Sequence, residues 1–525
     1  MVKVLISDKM SPRAAEIFRD RGVEVDEKPG MTPEELKACI GEYDGLAVRS
    51  ATKATANIIA SATNLKVIGR AGIGVDNVDI PAATAAGICV MNTPHGNAIT
   101  TAEHAIAMMF SLSRHIPAAN KSTQDGKWEK SKFMGVELYG KVLGVVGCGN
   151  IGSIVADRAI GLKMKVVAYD PFLSPERAVE LGVEKLELDE LFARADYISL
   201  HTPITDSTRN IVNAQNIAKM KSGVRIINCA RGGLVVEEDL KAALESGHVA
   251  GAAVDVYVKE PATENILFGL DNVVTTPHLG ASTDEAQVNV AIQVAEQMSD
   301  YLLLGSVTNA LNMPSVSAEE APKLKPYMDL ATQLGSFAGQ VTETGIKSVR
   351  IDYEGQAASL NIKPLTSIIL QGLLGPLLES VNMVNAPLVA KERGIDVTES
   401  INDREDDYQT LIRLCITTEN QTRDIAGTLF GDDRPRIVSI KGINMEAELG
   451  PHMLYITNQD KPGFIGAMGS ILGNAEVNIA TFHLGRDQKK GEAIALIEID
   501  SELSKDTMDM VCKLPQVTQV KALKF

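Results

Sequence analysis

The sequence predicts an α/β protein with two doubly wound parallel-sheet domains, then an α+β region and a C-terminal ferredoxin-like unit. Three observations indicate this. Short apolar runs alternate with helical patterns through the first 300 residues, a glycine-rich turn lies near residue 147, and the last 75 residues follow β-α-β-β-α-β order. At 525 residues the chain is too long for one hydrophobic core, so two to four domains are expected.

The first 300 residues contain apolar runs that predict strands. These runs are apolar on both faces and are separated by helical patterns, which is typical of parallel sheets covered on both sides. The strands are predicted at 2–7, 45–50, 65–69, 87–92, 141–147, 165–170, 197–202, 224–230, 251–257 and 272–278. Helices are predicted at 97–115, 151–163, 237–246 and 283–304. These strands are enough for two doubly wound units.

The C-terminal 215 residues follow a different order. The region 311–450 mixes helix and strand and carries no distinctive motif. The last segment predicts strands at 452–458, 477–485, 492–500 and 517–523, with helices at 463–475 and 504–513. This order predicts the ferredoxin-like unit.

Composition and charge exclude several functions. The net charge is −16 and the pI is about 5.1, which argues against nucleic acid and anionic membrane as partners. The most apolar stretch, 368–390, is interrupted by polar residues and predicts buried helices, not a membrane span. A strand begins at the first residues, so we expect no signal or transit peptide.

The six cysteines predict a reducing, cytoplasmic environment. They are scattered and form no C-x-x-C pair, so we expect neither a disulfide framework nor a metal site. They lie at positions 39, 89, 148, 229, 415 and 512.

A dinucleotide-binding turn is predicted in "LGVVGCGNIGSIVADRA". Gly147 permits a tight turn, Gly149 lets a pyrophosphate approach the backbone, and Gly152 allows the next helix to pack on the strand. The N-terminus of that helix supplies N–H groups to the phosphates. Asp170 ends the following strand, where a carboxylate binds ribose hydroxyls and repels a 2′-phosphate. The turn therefore predicts NAD over NADP; a glycine-rich turn in another α/β protein is the alternative.

Three catalytic candidates follow later strands. Oxidation of a hydroxy acid needs a base for the hydroxyl proton and a cation for the carboxylate. Arg231 follows one strand, and Glu260 and His278 follow two others; a carboxylate beside a histidine orients the ring and favours its protonated form. Taken separately, each has a structural alternative: an exposed arginine, a solvated glutamate and a core histidine.

The remaining histidines receive weaker assignments. Two also lie at or beyond strand ends, where ligands bind open α/β sheets, namely His95 and His201. A structural role is expected for His104, His115, His248, His452 and His483.

The chain resembles the D-2-hydroxyacid dehydrogenase family. The segments that carry the resemblance are "GCGNIGSIVADRA", "HTPIT", "INCARGGLVVEEDL", "DVYVKEP" and "TTPHLGASTDEAQ". The likeness spans the whole chain and fits the long form, with an intervening domain and a terminal ACT domain. It implies that Arg231 binds the substrate carboxylate, that His278 is the base and that Glu260 pairs with it. The most similar members oxidise 3-phospho-D-glycerate to 3-phosphohydroxypyruvate with NAD, the first step of L-serine biosynthesis.

The resemblance also implies a division into domains. A Rossmann nucleotide domain at 98–284 interrupts a flavodoxin-like substrate domain at 1–97 and 285–310. An intervening regulatory domain is expected at 311–450 and an ACT domain at 451–525. The active site is expected in the cleft between the first two domains.

Further ligand contacts are implied for cofactor and substrate. Those expected to bind NAD are Gly147, Gly149, Asn150, Ile151, Gly152, Asp170, Thr202, Pro203, Cys229, Ala230, Asp255 and Gly280. Those expected to bind the phosphorylated substrate are Arg49, Ser50, Arg70 and Gly72, with Arg49 the candidate for the phosphate. A solvated surface charge is the alternative for either arginine.

The tail implies an effector. L-serine is the expected ligand at an edge shared by two ACT domains, through Asn458, Asp460 and Asn478. The sequence has Asn458 and Asp460 where one familiar serine-site pattern, H-x-N-x-P-G, has His and Asn. A tail that only holds subunits together is the alternative. The segment around Trp128 implies a homodimer or homotetramer.

Two other functions remain open. A glyoxylate or hydroxypyruvate reductase would share the core without needing an ACT domain or a phosphate arginine. A non-catalytic corepressor that senses NAD could retain Arg231, Glu260 and His278 as well. The terminal ACT domain favours the serine-pathway enzyme over both.

Overall fold

The computed structural model describes residues 2–94, 96–316, 320–378, 381–403, 408–431, 433–487 and 491–525. These residues form four sheets, two of them parallel throughout. None of the described helices is long and apolar enough to cross a membrane.

The first sheet is parallel and has the order β2-β1-β3-β4-β5, which is flavodoxin-like. Its strands are β1 (Lys3–Ile6), β2 (Glu24–Glu27), β3 (Gly45–Val48), β4 (Val67–Arg70) and β5 (Cys89–Asn92). Its helices are α1 (Arg13–Asp20), α2 (Pro33–Cys39), α3 (Ala56–Ile59) and α4 (Ile80–Ala85).

The second sheet is also parallel, in the order β12-β11-β10-β9-β6-β7-β8, which extends the Rossmann order by one strand. Its strands are β6 (Val142–Val146), β7 (Lys165–Tyr169), β8 (Glu184–Lys185), β9 (Tyr197–Leu200), β10 (Val224–Asn228), β11 (Val249–Val254) and β12 (Val273–Thr275). Its helices are α5 (Ala98–Ser113), α6 (Ile116–Gln124), α7 (Asn150–Gly161), α8 (Pro175–Leu181), α9 (Leu188–Arg194), α10 (Ala214–Ile217) and α11 (Glu237–Glu245).

The chain returns to the first sheet through a long helix, α12 (Asp284–Leu304). Its Val290, Val294 and Met298 are buried in one core with Val4 and Val67 of the first sheet. Apolar burial of this kind holds α12 on the first sheet, although the whole second sheet lies between them in sequence.

Two further sheets follow. The six-stranded one has the order β14-β13-β15-β16-β17-β18 and the four-stranded one β20-β21-β19-β22, which is the ferredoxin-like order. The strands are β13 (Ile346–Gly355), β14 (Asp396–Asn402), β15 (Thr410–Thr418), β16 (Thr422–Phe430), β17 (Arg434–Ile440), β18 (Ile443–Ala447), β19 (His452–Gln459), β20 (Ile479–Arg486), β21 (Glu492–Ile499) and β22 (Val517–Lys524). The helices are α13 (Ala321–Val341), α14 (Ile362–Leu374), α15 (Ala386–Glu392), α16 (Phe464–Asn474) and α17 (Lys505–Cys512).

These last two sheets share a hydrophobic core. The rings of Phe337 on α13 and Tyr455 on β19 meet edge to face, with centroids 5.4 Å apart. Met453, Ile494 and Leu496 of the four-stranded sheet are buried in the same core. Removing the terminal segment would therefore expose apolar surface of the six-stranded sheet.

The predicted fold class is confirmed, with two strands missed. β2 and β8 lie at sheet edges and read EVDE and EK, so neither has the apolar run by which the other strands were predicted. The apolar stretch 368–390 falls mainly in α14 and α15, whose apolar residues are buried among neighbouring elements. The division into domains remains a prediction.

Candidate active site

The glycine turn after β6 has the geometry that a dinucleotide needs. Gly147 has φ +91°, a conformation that side chains rarely adopt. A Cβ at Gly152 would overlap the Gly147 carbonyl, whereas a Cβ at Gly149 would meet nothing within 4 Å. The backbone at Gly149 is therefore open to a ligand, and α7 begins at the next residue, Asn150. The turn and the helix N-terminus fit a pyrophosphate.

Asp170 lies beside this turn. Its Oδ2 accepts a hydrogen bond from the Cys148 N–H at 2.8 Å, and its Oδ1 accepts one from the Phe172 N–H at 2.8 Å. Each oxygen keeps a further lone pair, so the carboxylate is fixed by the backbone and can still accept from ribose hydroxyls.

The other predicted cofactor residues surround the same edge of the sheet. Asn150 Nδ2 donates to the Pro94 carbonyl at 3.4 Å, and Ile151 is half-buried on α7. The Thr202 hydroxyl is shielded from solvent and has no hydrogen-bond partner in the part of the chain that the structure describes. The Pro203 carbonyl accepts from Thr208 Oγ1 at 2.6 Å. These residues fit a cofactor, and their individual roles remain proposals.

Cys229 and Ala230 lie just after β10. The Cys229 thiol is buried, which raises its pKa, with the nearby Asp255 charge raising it further. The Ala230 N–H donates to Asn228 Oδ1 at 3.1 Å. A thiol with a raised pKa is uncharged at neutral pH and is a poor nucleophile.

His278 and Glu260 form a hydrogen-bonded pair. His278 Nδ1 lies 2.6 Å from Glu260 Oε2, and the other Glu260 oxygen accepts from the Tyr257 N–H at 2.9 Å. The hydrogen bond to Glu260 raises the pKa of His278, against the effect of desolvation. Burial alone would raise the pKa of Glu260, but the bonds from His278 and Tyr257 outweigh it and lower that pKa. With Nδ1 donating to the carboxylate, Nε2 is left to exchange a proton.

Asp255 fixes the backbone that follows His278. Its Oδ1 accepts from the Leu279 N–H at 2.7 Å and from Thr276 Oγ1 at 2.6 Å, and its Oδ2 accepts from the Gly280 N–H at 2.9 Å. Burial would raise the pKa of Asp255, but the hydrogen bonds from His104, Thr276 and Leu279 lower it overall. The carboxylate therefore stays charged while fully buried.

His104 completes this cluster. Its Nε2 lies 3.3 Å from Asp255 Oδ1, and with Cys229 the three residues bring ligand-type atoms within 4.8 Å of one another. Both Asp255 oxygens already accept backbone hydrogen bonds, so we assign the cluster to hydrogen bonding and not to a metal.

Arg231 joins the second sheet to a loop of the first. We call residues 71–76, which follow β4, the anion loop. Arg231 Nε donates to Asp76 Oδ2 at 2.9 Å, and its Nη1 donates to the Ala230 carbonyl at 2.7 Å. A Cβ at Gly74 would overlap the Arg231 guanidinium, so the guanidinium lies directly on the loop backbone.

Arg70 lies beside Arg231. A Cβ at Gly72, which has φ +148°, would overlap the Arg70 guanidinium. Desolvation, followed by the Arg231 charge, lowers the pKa of Arg70 to about 10. Arg70 is half-buried, and its Nε is shielded from solvent without a hydrogen-bond partner among the described residues. A solvated surface charge does not describe this environment.

Arg49 reaches the same edge from β3. Its Nη1 donates to Gln287 Oε1 at 2.9 Å and to the Lys9 carbonyl at 3.3 Å. The Arg49 Nε is shielded and has no hydrogen-bond partner within the described ranges. Ser50, the next residue, is exposed. The Arg49 charge also contributes to the lowered pKa of Arg70, after desolvation and the Arg231 charge.

His201 follows β9, and its backbone carbonyl borders the Gly147 turn. His201 is bonded to Ser199 Oγ at 2.8 Å, and burial lowers its pKa to about 4. His95 lies outside the described residues. Sequence reasoning missed Asp76 and assigned His104 a structural role; no motif marks either one, because their partners are distant in sequence.

In the tail, each predicted effector residue contacts a neighbour within its own chain. Asp460 Oδ2 lies 3.3 Å from Arg486 Nη1, and Asn478 Nδ2 donates to Asp500 Oδ2 at 3.0 Å. Asn458 is buried and its Nδ2 donates to the Gln459 carbonyl at 3.1 Å.

Comparison with known proteins identifies the family. The profile of the D-isomer specific 2-hydroxyacid dehydrogenase NAD binding domain matches residues 106–280, and that of the D-3-phosphoglycerate dehydrogenase intervening domain matches 323–441. D-3-phosphoglycerate dehydrogenase from Synechocystis is 44% identical, over 100% of this chain and 95% of the relative. The enzyme of that name from Bacillus subtilis is 43% identical, over 100% of this chain and 99% of the relative. The chain belongs to the D-3-phosphoglycerate dehydrogenase family.

Part of this D-3-phosphoglycerate dehydrogenase family member also matches a solved structure of a reductase. A glyoxylate reductase from Paecilomyes thermophila is 30% identical with a TM-score of 0.56, and the match covers 59% of this chain and 98% of that one. The match therefore covers nearly the whole reductase, and about two fifths of the present chain has no counterpart in it.

Proposed function

We propose that this chain oxidises 3-phospho-D-glycerate to 3-phosphohydroxypyruvate with NAD, the first step of L-serine biosynthesis. The observation that carries the proposal is the convergence of a histidine–carboxylate pair with an arginine that joins two sheets. Gly232, the residue after Arg231, packs against the Tyr257 carbonyl, and the Tyr257 N–H donates to Glu260, so the cation and the histidine–carboxylate pair lie close together.

His278 takes the hydroxyl proton of the substrate. Its Nδ1–H is held by Glu260, which leaves Nε2 as the base and stabilises the imidazolium once it forms. Asp255 supports this geometry through the Leu279 and Gly280 N–H groups, because His278 itself has φ +56°, an uncommon conformation for a non-glycine residue.

The arginines select the charge of the substrate. Phosphoglycerate carries a carboxylate and a phosphate, about −2.5 to −3 charges in all. Arg231 binds the carboxylate in a planar fork, and Arg49 and Arg70 supply cations to the phosphate. The shielded and unpartnered Nε atoms of Arg49 and Arg70, assessed on the described residues, support their use by a ligand.

NAD, when bound, supplies the hydride acceptor. The open backbone at Gly149 and the N-terminus of α7 would hold the pyrophosphate, the turn at Gly147 and the close packing at Gly152 would keep that backbone in place, and Asp170 would bind the ribose. The buried thiol of Cys229 and the small side chain of Ala230 line the edge of the sheet nearby.

The surface supports a homodimer or homotetramer. Trp128, Met134 and Tyr139 are exposed by 88%, 76% and 73%, and all lie in the segment between α6 and β6. Apolar side chains this exposed and close in sequence favour burial by a second copy. The six free cysteines and the acidic charge support a cytoplasmic location.

L-serine is the proposed effector of the tail. Asp460 offers a carboxylate to an ammonium group, and Asn478 offers an amide to a carboxylate. Asp460 is paired with Arg486, and Asn478 is bonded to Asp500, so serine would replace these intrachain contacts. A second chain would complete the site.

The alternative is glyoxylate or hydroxypyruvate reductase. The observation that favours a reductase is the match to the solved glyoxylate reductase, which covers 59% of this chain. Neither substrate carries a phosphate, so neither accounts for Arg49 and Arg70. A non-catalytic NAD-sensing corepressor could retain the His278–Glu260 pair, so that pair does not separate it from the enzyme. The terminal ferredoxin-like unit favours the enzyme.

The deciding experiment is a substrate panel. The purified chain is assayed with NAD and 3-phosphoglycerate, D-glycerate or glycolate. It is also assayed with NADH and 3-phosphohydroxypyruvate, glyoxylate or hydroxypyruvate, by absorbance of the reduced cofactor. We expect 3-phosphoglycerate to give the highest kcat/KM of the hydroxy acids. Faster reduction of glyoxylate than of 3-phosphohydroxypyruvate favours the reductase, and inactivity throughout favours the corepressor.

A further inference from the structure

Asn92, the last residue of β5, contacts the anion loop. The side chain is buried, and its Nδ2 donates to the Ile73 carbonyl at 2.7 Å. The next residue adds a second contact, from the Thr93 N–H to the Gly72 carbonyl at 3.2 Å. The end of β5 therefore fixes two consecutive carbonyls of the loop.

The anion loop also contacts Arg231. Asp76 Oδ2 accepts from Arg231 Nε at 2.9 Å, and the Gly74 backbone lies against the guanidinium. A displacement of the loop would therefore displace the cation that we assign to the substrate carboxylate.

Asn92 is itself held by two other elements. Its carbonyl accepts from Gln297 Nε2 of α12 at 2.8 Å, and its N–H donates to the Asn309 carbonyl at 3.3 Å. Gln297 and Asn309 are bonded to each other, from Asn309 Nδ2 to Gln297 Oε1 at 3.2 Å. Because Gln297 and Asn309 hold the Asn92 backbone and each other, the Asn92 side chain extends from a fixed backbone position to the loop.

We propose that Asn92 is a positioning residue for substrate carboxylate binding. Its amide fixes the Ile73 carbonyl, and through the anion loop it sets the place of Arg231 in the cleft. The proposal rests on the proposed function, in which Arg231 binds the carboxylate. Asn92 touches neither Arg231 nor the glycine turn after β6 in the described contacts, so its effect should fall on the acid substrate and not on NAD.

The test compares three variants. Asn92→Ala removes the amide, and Asn92→Asp keeps its size while replacing the donor by a second acceptor facing the Ile73 carbonyl. Asn312→Ala is the matched control, because Asn312 binds the same strand: its Oδ1 accepts from Val90 N–H at 2.9 Å and its Nδ2 donates to the Ile88 carbonyl at 2.8 Å. Asn312 has no contact with the anion loop among the described hydrogen bonds.

We expect both Asn92 variants to raise KM for 3-phosphoglycerate by roughly 5- to 100-fold, the range for a buried acceptor left unpaired. KM for NAD should stay close to the wild-type value, because Asn92 has no described hydrogen bond to the glycine turn. Asn312→Ala should lower the melting temperature without raising KM for 3-phosphoglycerate relative to KM for NAD. An equal rise of both KM values, or a wild-type KM for 3-phosphoglycerate in Asn92→Asp, overturns the proposal.

Amide hydrogen exchange provides a readout that needs no substrate. In the Asn92 variants, peptides that contain residues 71–76 should exchange faster than in wild type, whereas Asn312→Ala should accelerate exchange around residues 88–91. If wild type does not oxidise 3-phosphoglycerate, the proposed function fails while this exchange pattern still tests Asn92. Unchanged exchange in 71–76 for both Asn92 variants contradicts the positioning role.

Discussion

The cleft between the first two sheets and the edge of the terminal sheet differ in how their polar groups are used. In the cleft, Arg49 and Arg70 each retain a shielded Nε without a partner among the described residues. At the terminal edge, Asp460 and Asn478 are bonded to Arg486 and Asp500 of the same chain. The terminal edge also has one shielded atom without a described partner, Asn458 Oδ1. On the proposed assignments, an anion at the arginines would meet unpartnered donors, whereas an effector ammonium at Asp460 would compete with Arg486.

The largest expected effect is on the base. His278→Ala should lower turnover of 3-phosphoglycerate by roughly 10²–10⁴-fold, the usual contribution of a general acid–base group. Steady-state rates with NAD measure it. His248→Ala is the matched control, since its ring contacts the Ile217 carbonyl at 3.0 Å, away from the cleft, and it should retain wild-type turnover. A His278→Ala enzyme with near-wild-type turnover would show that the cleft is not catalytic as described.

Arg231 should come next. Arg231→Ala removes the cation that joins the two sheets and should lower kcat/KM by about 10²–10³-fold, as for loss of one preorganised donor at a reacting centre. Arg231→Lys keeps the charge but loses the fork, so it should fall between Ala and wild type. If Arg231→Ala matches wild type in kcat/KM, the carboxylate must bind elsewhere.

The pH dependence of kcat/KM separates the roles of His278 and Glu260. Oxidation requires neutral His278, so kcat/KM should fall as pH drops through the raised pKa of His278. Glu260→Gln removes the charge that raises this pKa, so the acid limb should move to lower pH, with a smaller maximal rate. A limb that stays in place or moves to higher pH would contradict the Glu260 assignment.

The smallest effect is expected at the terminal edge. Serine should inhibit the wild-type enzyme, and Asp460→Ala should weaken that inhibition by about 5- to 10-fold, as for loss of one charge-assisted hydrogen bond. Asp509→Ala, an exposed acid on α17, is the control and should leave inhibition unchanged. Point variants are preferred to truncation because β19 and β21 share their core with the preceding sheet. Activity that is constant up to millimolar serine would leave the tail as an assembly module.

The sequence was informative where candidate functional residues directly follow a strand. The placement of the glycine turn, Asp170, Arg231, Glu260 and His278 at strand ends was predictable, because parallel strands bring their carboxyl ends to one edge. Their roles stay predictions. The contacts of Asp76, Asn92 and His104 were not predictable, since each binds a partner from another segment and none belongs to a motif. The acidic edge strands β2 and β8 were missed because they have no apolar run.

Charge selection by Arg49 tests the central claim most directly: that the cleft is built for a phosphorylated acid. The measurement is the ratio of kcat/KM for 3-phosphoglycerate to that for D-glycerate, in wild type, in Arg49→Ala and in the surface control Arg13→Ala, which is paired with Glu16. We predict that Arg49→Ala lowers this ratio by about 10- to 100-fold, because a charge-assisted contact to phosphate is lost, while Arg13→Ala leaves it unchanged. Equal losses on both substrates in Arg49→Ala would contradict the claim and place Arg49 in the fold.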